Sequence, residues 1–236
     1  MATSTPRARA RARTMEDIVR IGREHLAVHG AAALSLRAVA RDLGVVSSAI
    51  YRYVRSRDEL LTLLVVDAYT ELGDAVDAAL AATPAGPQQR LRALGRAVRE
   101  WALAEPARYG LLFGSPVPGY EAPAEQTVPP GTRVIVALLG IVEQAARDGL
   151  LVAPVAAALP QSLIADMAAI RAEIGLDLPD WALARALPVW SALFGAVSFD
   201  IFDMYGADTF TDRAAVFEYQ LDTLCRMLGF AAATSG

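Results

Sequence analysis

An all-α fold follows from three features of the 236-residue sequence. Apolar residues recur at helical spacing, as in Trp190, Phe194, Val197, Ile201 and Met204. No convincing run alternates apolar and polar residues in the way of a half-buried strand. Residues Ser35 to Arg57, SLRAVARDLGVVSSAIYRYVRSR, read as two short helices with a tight turn between them and the start of a third. That arrangement, a helix-turn-helix, places one helix in the DNA major groove.

The elements can be taken in order. In Met1 to Arg13, Arg7, Arg9, Arg11 and Arg13 alternate with Pro or Ala. Alternate positions share no helical face and the segment has nothing apolar to bury, so residues 1–13 are expected to form a disordered basic arm. Such an arm either enters the minor groove beside the recognition helix or stays a solvated tail with general affinity for phosphate. No apolar stretch of the secretory type follows it. A three-helix DNA-binding domain is expected over 14–64, with a first helix from Thr14 to Gly30 and the motif itself at about 35–54.

Within the motif, Ser35 can cap the supporting helix, whose Leu36, Val39, Ala40 and Leu43 share one face. Ala40 is small where the helices cross. Gly44 supplies the left-handed backbone with which a chain commonly leaves a helix, and Val45 plugs the turn. Ser47 or Ser48 opens the recognition helix, with Ile50 and Val54 facing inward. Ser47, Ser48, Tyr51, Arg52 and Tyr53 make up its outer face, in residue types that bond to bases or phosphates at small desolvation cost. Ser56 to Glu59 has the pattern of a capping box for the next helix.

A larger helical domain is expected over 65–236. From Asp58 on, helices are predicted at Asp58 to about Ala82, which crosses the boundary, then at Gln88 to Ala104, Ala107 to Phe113, Thr132 to Asp148, Pro160 to Ile174, Asp180 to Tyr205 with a break near Pro188, and Thr211 to Leu228. Five prolines between Ser115 and Gly131 predict a loop there.

Charge is divided unevenly. Up to Arg57 there are 11 arginines against four acidic residues, and from Asp58 onward 11 against 22. The formal net charge of −4 therefore hides a basic N-terminal module on an acidic body. That polarity draws a polyanion to one end only. There is no lysine, and both histidines, His25 and His29, lie in the basic module. The body thus has no His or Lys, and its one cysteine, Cys225, sits on an apolar helix. It can build neither a Ser-His-Asp nor a Cys-His site, and no phosphate-binding or dinucleotide glycine pattern is present. An enzyme is not expected, and neither is a cofactor. His25 and His29 could share a metal, but without a third ligand no metal site is expected. The longest uncharged runs carry prolines and are too short for a membrane span, and a single cysteine allows no intrachain disulfide. A cytoplasmic protein is expected.

Residues 14 to about 64 resemble the DNA-binding domain of TetR-family transcriptional regulators. The resemblance lies in Ala40 and Gly44 of the turn, Ile50-Tyr51-x-Tyr53, and Arg57-Asp58-Glu59-Leu60-Leu61. Arg57 stands where lysine is usual, and Val46 where serine is common, which moves the expected cap to Ser47. The resemblance implies that Arg37 reaches a base or phosphate, that Ser47, Ser48 and Ala49 face base edges, and that Tyr51, Tyr53 and Arg57 grip phosphates. Ser and Ala are weak direct readers, so specificity is expected from Arg37 and DNA shape. The stretch Trp101 to Tyr120 resembles the WHG subgroup of the family. The later Trp190, Phe194 and Gly195 match that pattern only in part, with Phe194 where it has His.

The resemblance also implies a ligand-responsive homodimer on a palindromic operator. Trp101, Tyr109, Phe113, Met167 and Trp190 are the candidate walls of a site for a small, largely apolar effector that releases a repressor from DNA. Each of them singly also reads as ordinary core. Two stripes, Phe194, Val197, Ile201 and then Phe217, Leu221, Leu224, Leu228, either line the chain's own core or form a four-helix dimer interface. The alternative function is an all-helical small-molecule binding protein that has lost specific DNA recognition.

Overall fold

The structure, a computed structural model, describes residues 5–154 and 159–230. Its described residues form α-helices: α1 (Pro6–His29), α2 (Leu36–Asp42), α3 (Ser47–Ile50), α4 (Arg57–Ala81), α5 (Pro87–Ala104), α6 (Pro106–Phe113), α7 (Ala124–Gly131), α8 (Arg133–Arg147), α9 (Gln161–Ile174), α10 (Asp180–Ile201) and α11 (Arg213–Leu228). Extended pairing among them is limited to an isolated bridge between Leu151 and Phe230. Two compact units divide the chain. One holds the chain up to Glu71 with Ala104–Gly131, and the other holds Leu72–Leu103 with the chain from Thr132 on. The expected division after residue 64 thus differs from the observed one: α6 and α7 pack with the N-terminal helices.

The first unit closes on Ile18, Ile21, Leu26, Val39, Ala40, Ile50, Val54, Leu60, Leu61 and Leu64, all buried. Fully burying one such aliphatic side chain stabilises by about 1.5–3 kcal/mol, so this core sets the HTH geometry. In the second unit α10 packs against α8, α9 and α11. α5 crosses α11 at Gly95, where a Cβ would come within 2.5 Å of Leu221 Cδ2. α10 is long and apolar enough by composition to cross a membrane.

Three expectations need correction. Residues 6–13 are not a disordered arm but the first turns of α1. Thr5 caps them, its Oγ1 accepting from Ala8 N at 3.3 Å, and Pro6 takes the first helical position, where its missing N–H costs nothing. Ala and Arg are strong helix formers, and the packed part of α1 has already met the nucleation cost. Second, the proline-rich stretch is not loop throughout. α7 runs to Gly131 through Pro129 and Pro130, and Thr127, buried, bonds back to Pro123 O at 3.0 Å. Third, α10 passes unbroken through Pro188 and stops at Ile201, short of Tyr205.

Candidate DNA-binding surface

The surface is built on the α2–α3 crossing. Val39, Ala40, Ile50 and Val54 are fully buried there. Gly44 adopts φ 75°, a left-handed backbone that a β-carbon makes costly. Val45 N then donates to Ala40 O at 3.0 Å, closing the turn. Val46, not Ser47, occupies the cap position of α3, and its carbonyl accepts from Ala49 N at 2.8 Å. Valine has no oxygen with which to bond the free N–H groups, so that end of α3 stays uncapped by its own side chain. Ser35 sits at the cap of α2 but makes no side-chain cap bond either. Before α4, Ser56 Oγ accepts from Glu59 N at 3.1 Å. Glu59 Oε2 in turn accepts from Arg55 N at 2.6 Å, one residue earlier than a standard capping box would have it.

Of the expected DNA contacts, Arg37, Ser47 and Ser48 are exposed and Ala49 is half-buried. Val46, 71% exposed, stands beside the two serines. Tyr51 is 47% exposed, while Tyr53 packs partly into the core with the Arg11 guanidinium 5.2 Å above its ring. Arg57 is already engaged within the chain. Its Nη2 donates to Ala31 O at 2.9 Å and Ala32 O at 3.3 Å, holding the turn between α1 and α2. A phosphate would have to share it. Arg37, Tyr51 and Arg57 nonetheless line one depression of about 490 Å³, together with Ser56 and Arg55. Arg55 falls between the recognition helix and the cap of α4, where no local sequence pattern singles it out.

His25 Nε2 lies 2.6 Å from Asp42 Oδ2 and ties α1 to α2. That bond, and a second from Arg41, hold the Asp42 carboxyl below its usual range. His29 meets the His25 ring edge-on. Among the described residues no group of three or more His, Cys, Asp or Glu could hold a metal ion.

A charged cluster supports the same unit. Arg108 Nη2 is 2.9 Å from Asp67 Oδ2, and its Nη1 is 2.8 Å from Glu71 Oε1 and 3.5 Å from Glu105 Oε2. Arg23 Nε and Nη2 reach the two Asp67 oxygens at 2.7 and 2.5 Å. Arg108 is only 2% exposed. No local sequence pattern marks this cluster, whose members lie on α1, α4 and α6 and its N-cap, Glu105.

The five candidate effector contacts divide between the units. Tyr109 and Phe113 belong to the first, where Phe113 packs edge-on against Tyr69. Trp101, Met167 and Trp190 belong to the second. Trp101, Tyr109 and Met167 are buried as core residues are. The dimer stripes need a firmer correction. Val197, Phe217, Leu221, Leu224 and Leu228 are all buried within the single chain, so they line its own core. Phe194 and Ile201 are half-buried, and the Phe194 ring packs at a tilt against Trp190, with centroids 4.4 Å apart. The open face of α10 and α11 is a different one. Ala192, Gly195, Phe199, Tyr219 and Met227 line an apolar depression of about 390 Å³ there.

Known proteins resemble this chain in both of its parts. Residues 18–64 match the family model described as bacterial regulatory proteins, tetR family. Residues 91–224 match the Tetracyclin repressor-like, C-terminal domain. The HTH-type transcriptional regulator Rv1816 of Mycobacterium tuberculosis is 46% identical over 222 residues, 93% of this chain and 94% of that one. The crystal structure of regulatory protein SCO4313 has 35% identity and a TM-score of 0.75, covering 93% of this chain and 98% of its own. A tetR-family regulatory protein from Rhodococcus RHA1, 18% identical, shares the fold with a TM-score of 0.61 over 92% of this chain and 98% of its own. The chain belongs to the TetR family of helix-turn-helix transcriptional regulators.

Proposed function

We propose that the protein is a cytoplasmic, homodimeric repressor that reads a palindromic operator with α3 and Arg37 and leaves it when a small, largely apolar molecule binds. The observation that carries the DNA half of this reading is the exposed tip formed by Arg37, Val46, Ser47 and Ser48 over a fully buried helix crossing. Arg37 supplies the one long donor of that tip, and the two serines supply short ones. Tyr51, Tyr53, Arg55 and Arg57 flank the tip as phosphate contacts, which fix register without reading sequence.

For the dimer, we assign the second copy to the outer face of α10 and α11. Phe199, Tyr219 and Met227 are 42%, 69% and 39% exposed there. Apolar side chains gathered in one open patch are what a subunit contact buries. Two copies would present two recognition helices to half-sites about one helical turn apart or more. For the effector, a depression of about 550 Å³ in the second unit is lined by Leu80, Pro87, Arg90, Gly140, Ile141 and Gln144. It offers an apolar wall with one arginine at its edge. An effector acts only through its differential affinity for the DNA-competent and released states.

The test is selection of bound sequences from random duplex DNA at near-physiological salt. A palindromic motif is the expected result, and Arg37→Ala should relax specificity within it. Absence of any enriched motif, with weak binding that salt abolishes, would overturn the reading.

A further inference from the structure

We propose that the N-terminal extension of α1 is a second DNA-contacting element, in which the face carrying Arg7 and Arg11 follows the phosphate backbone beside the half-site read by α3. The proposal rests on the operator-binding reading above.

Because residues 6–13 are helical, the alternation of arginines acquires two distinct faces. Arg7 and Arg11 are four apart and stack on one side, about 6 Å apart along the axis. Arg9 and Arg13 stack on another, turned by about 160° from the first. Arg11 fixes which side is which. Its Nη1 donates to Arg52 O at 3.2 Å, and its guanidinium lies over the Tyr53 ring. The Arg7 and Arg11 side therefore faces the C-terminal end of the recognition helix, and the Arg9 and Arg13 side faces away from it.

All four arginines are exposed, and no acidic residue precedes Glu16. Arg7, Arg9 and Arg13 have no side-chain partner among the described residues. Arg11 spends one of its five donors on Arg52 O and keeps others for an anion. The partner that fits is duplex DNA, because the operator reading already sets it against α3, and because a guanidinium fork matches a phosphate in two hydrogen bonds. Eight helical residues reach about 12 Å past the packed part of α1, the rise of roughly three base pairs. The contact would thus lengthen the footprint of each half-site rather than add to base reading.

The experiment uses the full-length protein and its selected operator, with the dissociation constant measured across a salt series. Each phosphate contact contributes a slope of about −0.9 in log K against log salt. Arg7→Ala is expected to make the slope shallower by about 1.8 for a dimer, one contact per subunit. Arg9→Ala and Arg13→Ala are expected to change it by less than half as much. Alanine is the best helix former, so none of these variants unwinds the extension, and circular dichroism verifies that. Equal changes at Arg7 and Arg9 would overturn the proposal in favour of a diffuse basic tail. No change at either would overturn any DNA contact by the extension. Failure of the unmodified protein to select a motif would instead overturn the operator reading itself.

Discussion

Arg108→Met removes the most deeply buried charge of the first unit while keeping the length and most of the volume of its stem. The loss is therefore electrostatic rather than a cavity effect. In the native cluster two guanidiniums, Arg23 and Arg108, face three carboxylates, Asp67, Glu71 and Glu105. After the substitution Arg23 alone faces all three. Breaking a fully buried pair by removing one partner costs about 3–5 kcal/mol. Here the side chains of Asp67 and Glu71 are 23% and 39% exposed, so water recovers part of that cost. Arg23 also keeps its two-pronged bond to Asp67. About 2–3 kcal/mol remains, which for a chain of this length lowers the melting temperature by roughly 4–12 °C. Glu105→Gln is the control. Its contact with Arg108 is the longest, at 3.5 Å, and removing it relieves a surplus negative charge, so its melting temperature should barely move. Calorimetric or circular-dichroism melts at neutral pH measure both. An Arg108→Met melt within about 1 °C of the unmodified protein would refute the reasoning. It would mean that the desolvation of Arg108 already cancels its three attractions.

Three further outcomes are expected. Phe199→Glu and Met227→Glu, on the open face of α10 and α11, should give folded monomers in sedimentation, whereas Val197→Glu should lose helicity, because it buries a charge in the core. Folded monomers from Val197→Glu would restore the stripe as an interface. Gly95→Ala should destabilise by about 1 kcal/mol in urea unfolding, since overpacking against buried Leu221 costs about 1–3 kcal/mol and the gain in helix propensity returns only about 1. A stabilised variant would show that Leu221 moves aside freely. Glu218 is held below its ordinary value of 4.5, first by its hydrogen bond from Arg96. A depressed carboxyl stabilises above its ordinary value and stops doing so as pH falls through the lower, folded one. With Glu218 41% exposed the effect is below about 1 kcal/mol. Glu218→Gln should therefore be less stable than the unmodified protein at neutral pH and equal to it once the pH has fallen below the lowered, folded value. An undiminished gap at acid pH would rule out this origin.

Much of the fold was legible because glycine and proline mark its joints. Gly44, Gly149 and the Pro84–Pro87 stretch put helix ends within a residue or two of their places, and the 2-residue strand period is simply missing. What escaped depended on partners far away in sequence. Periodicity reveals that a stripe such as Phe217, Leu221, Leu224, Leu228 is buried, but not by what. α10 is apolar on more than one side, so its pattern could not separate Val197, in the core, from Phe199, two residues on and exposed. The resemblance marks Arg57 as a phosphate contact, but no local pattern shows the carbonyls it also meets, Ala31 and Ala32, across the turn between α1 and α2. The helix in residues 6–13 was missed for a different reason. Amphipathicity reports burial, and that segment is held by propensity and a cap without burying anything.

With no lysine in the chain, arginine must serve both folding and DNA, and its residue type cannot say which. Sorting guanidiniums by what they meet does. Every arginine from Arg90 onward has a partner in the chain: Arg92, Arg96, Arg99, Arg108, Arg133, Arg147, Arg171 and Arg213 meet carboxylates, Arg90 and Arg185 meet carbonyls, and Arg226 meets Thr223. Among the described residues the side chains of Arg7, Arg9, Arg13, Arg37, Arg52 and Arg55 have no such partner, and all six precede Arg57. An acidic body whose arginines already have partners in place, most of them carboxylates, has little left to offer a polyanion. On the proposed reading, the electrostatic part of the affinity for DNA comes from these six together with Arg11 and Arg57, each of which spends donors on carbonyls. The salt dependence of operator binding should accordingly respond to substitutions in the first 57 residues and be indifferent to any single arginine beyond them that leaves the fold intact.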